Sequence, residues 1–435
     1  MKYKVNKEIL GLAIPNIISN ISVPLISAVD TALMGGLSIN HLGAVGLGAM
    51  IFNFLYWNFG FLRMGTTGLT AQEYGRSKHA SGNKILWRSV SIAIIISLII
   101  LTLCIPLSHF SLSLLNVSDS QSPLVEEYFF IRIWAAPATL TLYVLMGWFF
   151  GKQNAVLPLI ITVIVNVVNL IFSYIFVVHL NWDIAGVAYG TVIAQYLGVF
   201  IAFVLIWIKY PSIVIKSWPN IIGKWKEWGM LFKVNAYLFV RTVCLTFAFG
   251  FFYSKSSEGG AIILATNVVL LQFLNWLSYG IDGFAFASES LVGKYYGAKQ
   301  SHVLSKVVNI SFLWGLGIAV IFSFLYYFFD FHFIRIFTDD PFVFAAAREQ
   351  KIWMVILPVV VFACYIWDGI FIGLTEVKWM MISMLISLTI YLGYYYGLVA
   401  QGISTLWMAL IIFLFIRGIL QSIIWCKTIK HQIQI

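Results

Sequence analysis

The sequence predicts an all-α polytopic membrane protein with twelve transmembrane helices in two pseudo-symmetric six-helix lobes. Of its 435 residues, 61% are hydrophobic and only 10% are charged, and the mean hydropathy is +0.91. Soluble proteins carry about 25% charged residues, and a helix of about 20 residues crosses a bilayer core. The predicted spans lie near 8–34, 44–72, 85–108, 124–150, 155–179, 184–208, 229–253, 260–290, 305–330, 350–373, 378–398 and 402–426.

The first span is not expected to be a cleaved signal peptide. It is too long, contains Asp30 and does not end in a cleavage-like sequence. We therefore expect it to remain in the membrane as the first helix of the folded protein.

The distribution of Lys and Arg predicts the orientation of the spans. Nineteen of these residues lie in the loops on one side, and four lie in the loops on the other. By the positive-inside rule the richer side is cytoplasmic, and both termini lie there. This topology accounts for the net charge of +10, so we expect no nucleic-acid partner.

A weak internal repeat divides the chain into two halves. Moving the first half along the chain by one constant number of residues, called the repeat shift below, places residues 42–75 on residues 264–297. The same shift places "GWFFG" (147–151) on "GIFIG" (369–373). Six spans per half place both halves in the membrane the same way round, as in transporters with substrate sites between two repeats. The predicted parts are an N-lobe at 1–208 (the first six spans), a cytoplasmic linker at 209–228 and a C-lobe at 229–435.

Four of the seventeen acidic residues lie well inside predicted spans and away from their ends: Asp30, Asp282, Glu289 and Asp368. A charge at the bilayer centre costs at least about 2.5–3.5 kcal/mol, so such residues tend to face a cavity and mark a pathway. Burial also raises the pKa of a carboxyl group, which favours proton loading near neutral pH.

Asp30 is the first candidate for ion coupling. It follows Pro15 and Pro24, each of which removes a helical hydrogen bond and allows bending. Asn166 and Asn169 share one face of the fifth span and can bond a carboxyl group in either protonation state. The alternatives are that Asp30 caps a helix or pairs with an arginine, and that the asparagines join helices.

We expect Asp282, Glu289 and Asp368 to be mainly structural. Asp282 and Glu289 are seven residues apart, on one helical stripe. Four arginines lie inside spans or at their edges and can pair with these acids; they are Arg63, Arg132, Arg241 and Arg417. A role of these acids in transport remains the alternative.

Motifs for other function classes are missing from the sequence. No two of the seven histidines have metal-ligand spacing on a helix, and the four cysteines lie in different spans. There is no phosphate-binding Gly-Lys-Ser/Thr loop and no serine in a glycine elbow. We therefore expect no catalytic residues, no metal and no cofactor, and an enzyme is poorly supported.

Several motifs together resemble the multidrug and toxic compound extrusion (MATE) family, in particular its DinF-like branch. They are "VDTALMGGL", "FLRMGTTGLTAQEYG", "RTVCLTFAFGFF", "LATNVVLLQFL", "YGIDGFAFASESLVGKYYGAK" and "WDGIFIGLT". The resemblance covers nearly the whole chain. It implies two six-helix lobes, a central cleft, and export of cationic or amphipathic compounds driven by inward flow of H⁺ or Na⁺.

The resemblance also implies roles for single residues. Asp30 matches the aspartate that carries the coupling ion, Asn166 matches an asparagine near it, and Thr191 matches a threonine of the same cluster. Pro15 matches a proline associated with bending. Where many relatives have a second aspartate, this chain has Leu170, and one aspartate with amide neighbours favours H⁺ over Na⁺.

These observations predict a secondary active multidrug antiporter. It would act in the bacterial inner membrane as a monomer, with both termini in the cytoplasm, exchanging drug-like molecules for H⁺. The alternative is a flippase of lipid-linked precursors with the same two-lobe plan, in which several basic residues would line the cavity. A channel or an embedded enzyme is a third class and would not depend on Asp30.

Overall fold

The fold is described from a computed structural model of the full chain. The backbone is described for residues 2–35, 39–77, 79–115, 117–118, 120–211, 225–397 and 402–432. Side chains are described over the same ranges, except at residues 2, 23–35, 39, 79–80, 225–227 and 432. Most of the predicted linker at 209–228 therefore lies outside the described residues.

Within these ranges the chain is almost entirely helical. The first half contains α1 (Lys2–Gly35), α2 (Ile39–Trp57), α3 (Phe61–Gly75), α4 (His79–Thr102), α5 (Cys104–Leu114), α6 (Ser122–Arg132), α7 (Ala136–Gly151), α8 (Val156–Tyr174) and α9 (Asp183–Lys209). The second half contains α10 (Trp225–Glu258), α11 (Ala261–Gly297), α12 (Ser301–Phe328), α13 (Asp330–Phe337), α14 (Pro341–Glu349), α15 (Lys351–Leu374), α16 (Val377–Gly397), α17 (Ile403–Ile424) and α18 (Lys430–Gln432).

Eleven helical segments among the described residues are long and apolar enough to cross a membrane. The first predicted span is not one of them, but the backbone there forms the 34-residue helix α1. The prediction of a polytopic helical protein is thus confirmed, with a helix at each of the twelve predicted spans. The chain is a multi-pass membrane protein.

Besides the single-residue turn at Leu103 between α4 and α5, two spans of the first half are interrupted. Residues 58–60 form a turn between α2 and α3, and the 3-10 turn Ile133–Ala135 separates α6 from α7. Hydropathy did not predict either break, because both segments are apolar on each side of the turn. In the second half, by contrast, α11 runs as one helix of 37 residues.

The helix boundaries repeat with the predicted offset. Helices α3 and α11 end at Gly75 and Gly297, which the repeat shift places on each other, and the starts of α4 and α12 coincide under the same shift. The pair α1 and α10 are both 34 residues long. The structure therefore supports the repeat that the glycine motifs indicated.

The two glycine motifs have equivalent neighbours in the two halves. A Cβ at Gly147 would lie 2.3 Å from the carbonyl oxygen of Arg63, and a Cβ at Gly369 would lie 2.1 Å from that of Ala285. The repeat shift relates the two glycines and also the two carbonyl groups. In each half, one helix therefore packs directly against the backbone of another, α7 on α3 and α15 on α11.

The contacts group the chain into two compact units. The C-unit consists of Met1–Ile17 and Ala236–Ile435, and the N-unit is Ile18–Asn235. The division therefore passes through α1 and α10 and does not coincide with the loop between the two repeats. The lobe boundaries at 1–208 and 229–435 remain a prediction from the sequence.

The beginning of α1 is bonded within the C-unit. The Glu8 carboxylate accepts hydrogen bonds from Lys294 Nζ at 3.1 Å and from the Tyr295 hydroxyl at 2.6 Å. Trp314 Nε1 donates to Asn6 Oδ1 at 2.9 Å. The first turns of α1 are thus held by polar contacts to α11 and α12.

We predict that Gly369→Ala destabilises the protein, because the added methyl group overlaps the backbone of α11. The expected loss in the free energy of unfolding is about 1–3 kcal/mol, as for other overpacked cores. Gly317→Ala is the matched control, since a Cβ at this helical glycine meets nothing within 4 Å. Thermal unfolding in detergent measures both variants, and equal melting temperatures would contradict the proposed backbone contact.

Candidate functional site

Helix α8 contributes two asparagines to a polar site inside the N-unit. Asn166 Nδ2 donates to Ser22 Oγ of α1 at 3.0 Å, and the Ser22 hydroxyl donates to the Ser19 carbonyl at 2.7 Å. This chain of hydrogen bonds joins α1 to α8 inside apolar surroundings, where such bonds align helices. Ser22 was not predicted as part of the site.

The second asparagine joins α8 to α9. Asn169 Nδ2 donates to Thr191 Oγ1 at 3.0 Å, and this hydroxyl donates to the Val187 carbonyl at 3.1 Å. Asn169 is buried, and its Oδ1 accepts no hydrogen bond from the described residues. The site therefore retains an acceptor that can receive a proton donor, such as a protonated carboxyl group.

The predicted ion carrier lies on the same helix as Ser22. Asp30 and Pro24 belong to α1, but their side chains lie outside the described residues. Asp30 follows Ser22 by eight residues, which corresponds to about 12 Å along a helix. The structure thus joins Asn166 to α1 and Asn169 to Thr191, while a contact of Asp30 with any of these three residues remains a prediction.

A side-chain hydrogen bond accompanies the first proline of α1 without replacing the backbone bond that this proline removes. Pro15 has no N–H group, so one backbone bond of the helix is missing. The neighbouring Asn16 is buried, and its Nδ2 donates to the Leu12 carbonyl at 2.9 Å. This side-chain bond lies just before Ile18, where α1 passes from the C-unit to the N-unit.

A separate charged cluster lies in the C-unit. The Asp368 carboxylate accepts hydrogen bonds from Arg241 through Oδ2, from Arg417 at 2.9 Å and from Gln421 at 2.9 Å. All four residues are buried. The pairing with Arg241 agrees with the expectation that arginines hold the acids of the second half.

The two other acids of the second half lie on α11. Asp282 is within electrostatic range of Arg417, which also bonds Asp368. Glu289 is 1% exposed, and its backbone carbonyl lies against Gly373. The structural role expected for these acids stays a prediction.

A group of arginines and tyrosines beside the interrupted spans was not predicted. The Arg132 guanidinium lies 5.2 Å from the ring centre of Phe52 and donates a hydrogen bond to the Tyr128 hydroxyl. Tyr143 is within electrostatic range of both Arg63 and Arg132. The signal for this group lies in the structure: Arg63 and Arg132 each flank a helix break, and transporters place binding sites at such breaks.

We predict that Asp368→Asn lowers the yield of folded protein. The substitution removes a carboxylate that two buried arginines bond. The free energy of unfolding should fall by about 3–5 kcal/mol. The double variant Asp368→Asn with Arg417→Gln removes one charge of each sign and should recover part of the yield. Asp339→Asn is the control, because the Asp339 side chain is fully exposed.

Size-exclusion chromatography in detergent measures the folded yield of the three variants. A well-folded Asp368→Asn protein that has lost transport would contradict the structural role. It would place ion coupling in the C-unit.

Comparisons with known proteins agree with this architecture. The MatE family model matches residues 15–175 and 238–396. DNA damage-inducible protein F of Escherichia coli K12 is 34% identical over 422 residues, covering 97% of this chain and 92% of that protein. The Thermotoga maritima protein named "Probable multidrug resistance protein NorM" is 23% identical over 350 residues, covering 78% and 73% of the two chains.

The fold also matches solved structures. A crystal structure of MATE in the bent conformation superposes with a TM-score of 0.91 at 18% identity, covering 99% of this chain and 96% of that chain. The family match spans both repeats and most of the chain, and it includes α1 from Pro15 onwards. Members of this family are transporters and not enzymes. The chain therefore belongs to the MatE family, and the DinF protein of Escherichia coli is among its relatives.

Proposed function

We propose that this protein is an efflux antiporter that exports cationic and amphipathic small molecules in exchange for H⁺. The observation that carries the proposal is the polar site on α1, α8 and α9, where Asn166 and Asn169 bond hydroxyl groups. Helix α1, which contributes Ser22 to this site, also carries Asp30. Asp30 is the one acidic residue of the first half that is well inside a predicted span.

The neutral character of the site favours H⁺ over Na⁺. Its described members are amides and hydroxyls, and Leu170 occupies the place where the family resemblance implies a second aspartate. Na⁺ is a hard cation that is best held by several oxygen ligands including carboxylates. A single carboxyl group can instead bind a proton and donate it to an acceptor such as Asn169 Oδ1.

The course of α1 supports coupling by a helix movement. Its beginning is bonded to the C-unit through Glu8, and its later part is bonded to the N-unit through Ser22. In the proposed cycle, Asp30 is protonated from outside, α1 shifts, substrate affinity falls and the substrate leaves. Pro15 and Pro24 would allow the shift, because each removes one backbone bond of α1.

The names of relatives support the substrate class. A relative from Thermotoga maritima is named a multidrug resistance protein, and we propose drug-like substrates for this chain on that basis. We further propose that it acts as a monomer in the bacterial inner membrane with both termini in the cytoplasm. Neither a cofactor nor a nucleic-acid partner is part of this proposal.

A lipid-linked precursor flippase is the second candidate, because two arginines lie near Tyr143. The other two intramembrane arginines bind Asp368 and are less suited to an anionic diphosphate. A flippase would therefore use the two arginines of the N-unit, Arg63 and Arg132. Loss of lipid-precursor translocation in Arg63→Gln, with drug efflux unchanged, would favour this second function.

We expect efflux from proteoliposomes to follow an imposed pH gradient. Each gradient is imposed separately, with a cationic dye as the exported probe and protein-free liposomes as the control. Under the proposal the pH gradient drives efflux and a Na⁺ gradient at equal pH does not. Efflux with the Na⁺ gradient alone would show that the ion assignment is wrong.

We also predict that Asp30→Asn folds and binds substrate but does not use a proton gradient. Asparagine keeps the size and hydrogen bonding of a protonated aspartate, but it cannot titrate. Folded yield, equilibrium binding and gradient-driven efflux are measured on one preparation, with Asp339→Asn as a neutralised surface control. Normal efflux by a well-folded Asp30→Asn protein would end the claim that this carboxyl group couples H⁺ to export.

A further inference from the structure

The turn between α8 and α9 carries an aromatic cavity, which is defined by Phe176, Trp182, Tyr189 and Ile193. Its volume is about 500 Å³. The cavity lies at the ends of α8 and α9 that are opposite to Lys152 and Lys209, because α8 begins shortly after Lys152 and α9 ends at Lys209. By the positive-inside rule this end faces the outside of the cell.

Three aromatic rings surround the cavity in different orientations. The rings of Phe176 and Trp182 are stacked, with centroids 4.8 Å apart and planes at 29°. The rings of Trp182 and Tyr189 meet edge to face, with centroids 5.8 Å apart and planes at 63°. Trp182 is 46% exposed and Tyr189 is 43% exposed, so part of each ring is open to a ligand. Aromatic rings attract cations through the ring quadrupole, and quaternary ammonium groups are the best-known ligands of this kind.

The charges near the cavity also favour a cation. From Ile175 to Ile193 the sequence contains Asp183 and neither Lys nor Arg. Helix α9 begins at Asp183, and the positive end of its dipole alone would disfavour a cation. The Asp183 carboxylate in the first turn offsets that dipole. The ring of His179 packs against Tyr174 and does not line the cavity.

The backbone of the turn holds the rings in place. Ile175–His179 forms a π-helix, and Trp182 N–H donates to the Phe176 carbonyl at 2.9 Å. Asn181 and Asp183 have φ values of 54° and 42°, in the left-handed region that residues with a side chain rarely adopt. Both π-helical turns and strained backbone of this kind concentrate at functional sites.

The second repeat shows that the fold does not require these rings. The repeat shift places a serine, a threonine, an isoleucine and a phenylalanine where the first repeat has Trp182, Asp183, Tyr189 and Ile193; they are Ser404, Thr405, Ile411 and Phe415. A belt of interfacial aromatic anchors would serve both repeats alike. At the four compared positions, the second repeat therefore has no counterpart of the rings of Trp182 and Tyr189 or of the carboxylate of Asp183.

We propose that the aromatic cavity binds organic cations with apolar substituents, such as quaternary ammonium ions and protonated tertiary amines. The binding itself follows from the rings and from Asp183. Its place in export rests on the proposed function, since the cavity lies on the side where substrates would be released. It would then be an outer contact for cationic substrates that is separate from the polar site on α8.

The test measures binding of choline to the full-length protein in nanodiscs, without any ion gradient, by saturation-transfer NMR. The comparison ligand is the uncharged isostere of choline, in which carbon replaces the quaternary nitrogen. We expect choline to bind more tightly than the isostere, because only choline gains the cation–π attraction. Equal affinities for the two ligands would overturn the proposal.

Substitutions test whether choline binds at the aromatic cavity. Trp182→Leu should weaken choline binding about fivefold or more, which corresponds to the loss of one cation–π contact. Trp134→Leu is the matched control, because Trp134 is an exposed tryptophan of the N-unit that does not line the cavity. Equal effects of these two variants would overturn the proposal. If Trp182→Leu does not fold, Tyr189→Phe should retain binding and Tyr189→Leu should lose it.

The same measurements separate this proposal from the antiport proposal. Asp339→Asn should bind choline as the unchanged protein does, because the Asp339 side chain is fully exposed and is not among the residues that line the cavity. Choline binding that persists in a protein without proton-driven efflux would leave the cavity as a cation site and remove the antiporter function. Proton-driven efflux without specific choline binding would have the opposite meaning.

Discussion

Backbone contact between helices is the constraint on which the rest of the structure depends. In each repeat a glycine motif lets one helix lie directly on the carbonyl groups of another, at Gly147 in the first repeat and Gly369 in the second. Close packing of this kind stabilises helices in lipid, where the hydrophobic effect supplies little attraction between them. The paired helices α3–α7 and α11–α15 thereby form fixed centres from which the polar residues of each unit are positioned.

The sequence was sufficient for the helical architecture and for part of the charge pairing. Hydropathy located the spans, and the glycine motifs revealed the repeat. The sequence also indicated that arginines such as Arg241 pair with the acids of the second half, without saying which acid; the structure shows Asp368. The sequence was not sufficient for the helix breaks at 58–60 and Ile133–Ala135, because averaged hydropathy does not respond to a change in backbone bonding. The hydrogen bonds of α8 to Ser22 and Thr191 also depend on helix packing that no local pattern contains.

The division of α1 and α10 between the two units could likewise not be predicted from the sequence. A hydrophobic run reports that a helix crosses the membrane, but not which neighbours each of its turns contacts. Here Glu8 binds Lys294 in the C-unit, whereas Ser22, four turns later, binds Asn166 in the N-unit. Helix α1 is thus bonded within one unit near its start and within the other at Ser22, and the proposed coupling by a helix movement relies on this arrangement.

The buried polar groups of the two units differ in charge and in hydrogen bonding. In the C-unit the Asp368 carboxylate is bonded by two arginines and Gln421, and a buried charge with several partners is costly to disturb. In the N-unit the described polar residues of the site are neutral, and Asn169 Oδ1 accepts no bond from them. A neutral site with a spare acceptor can gain or lose a proton donor at small cost. This difference supports placing the proposed H⁺ coupling in the N-unit and not at the charged cluster of the C-unit.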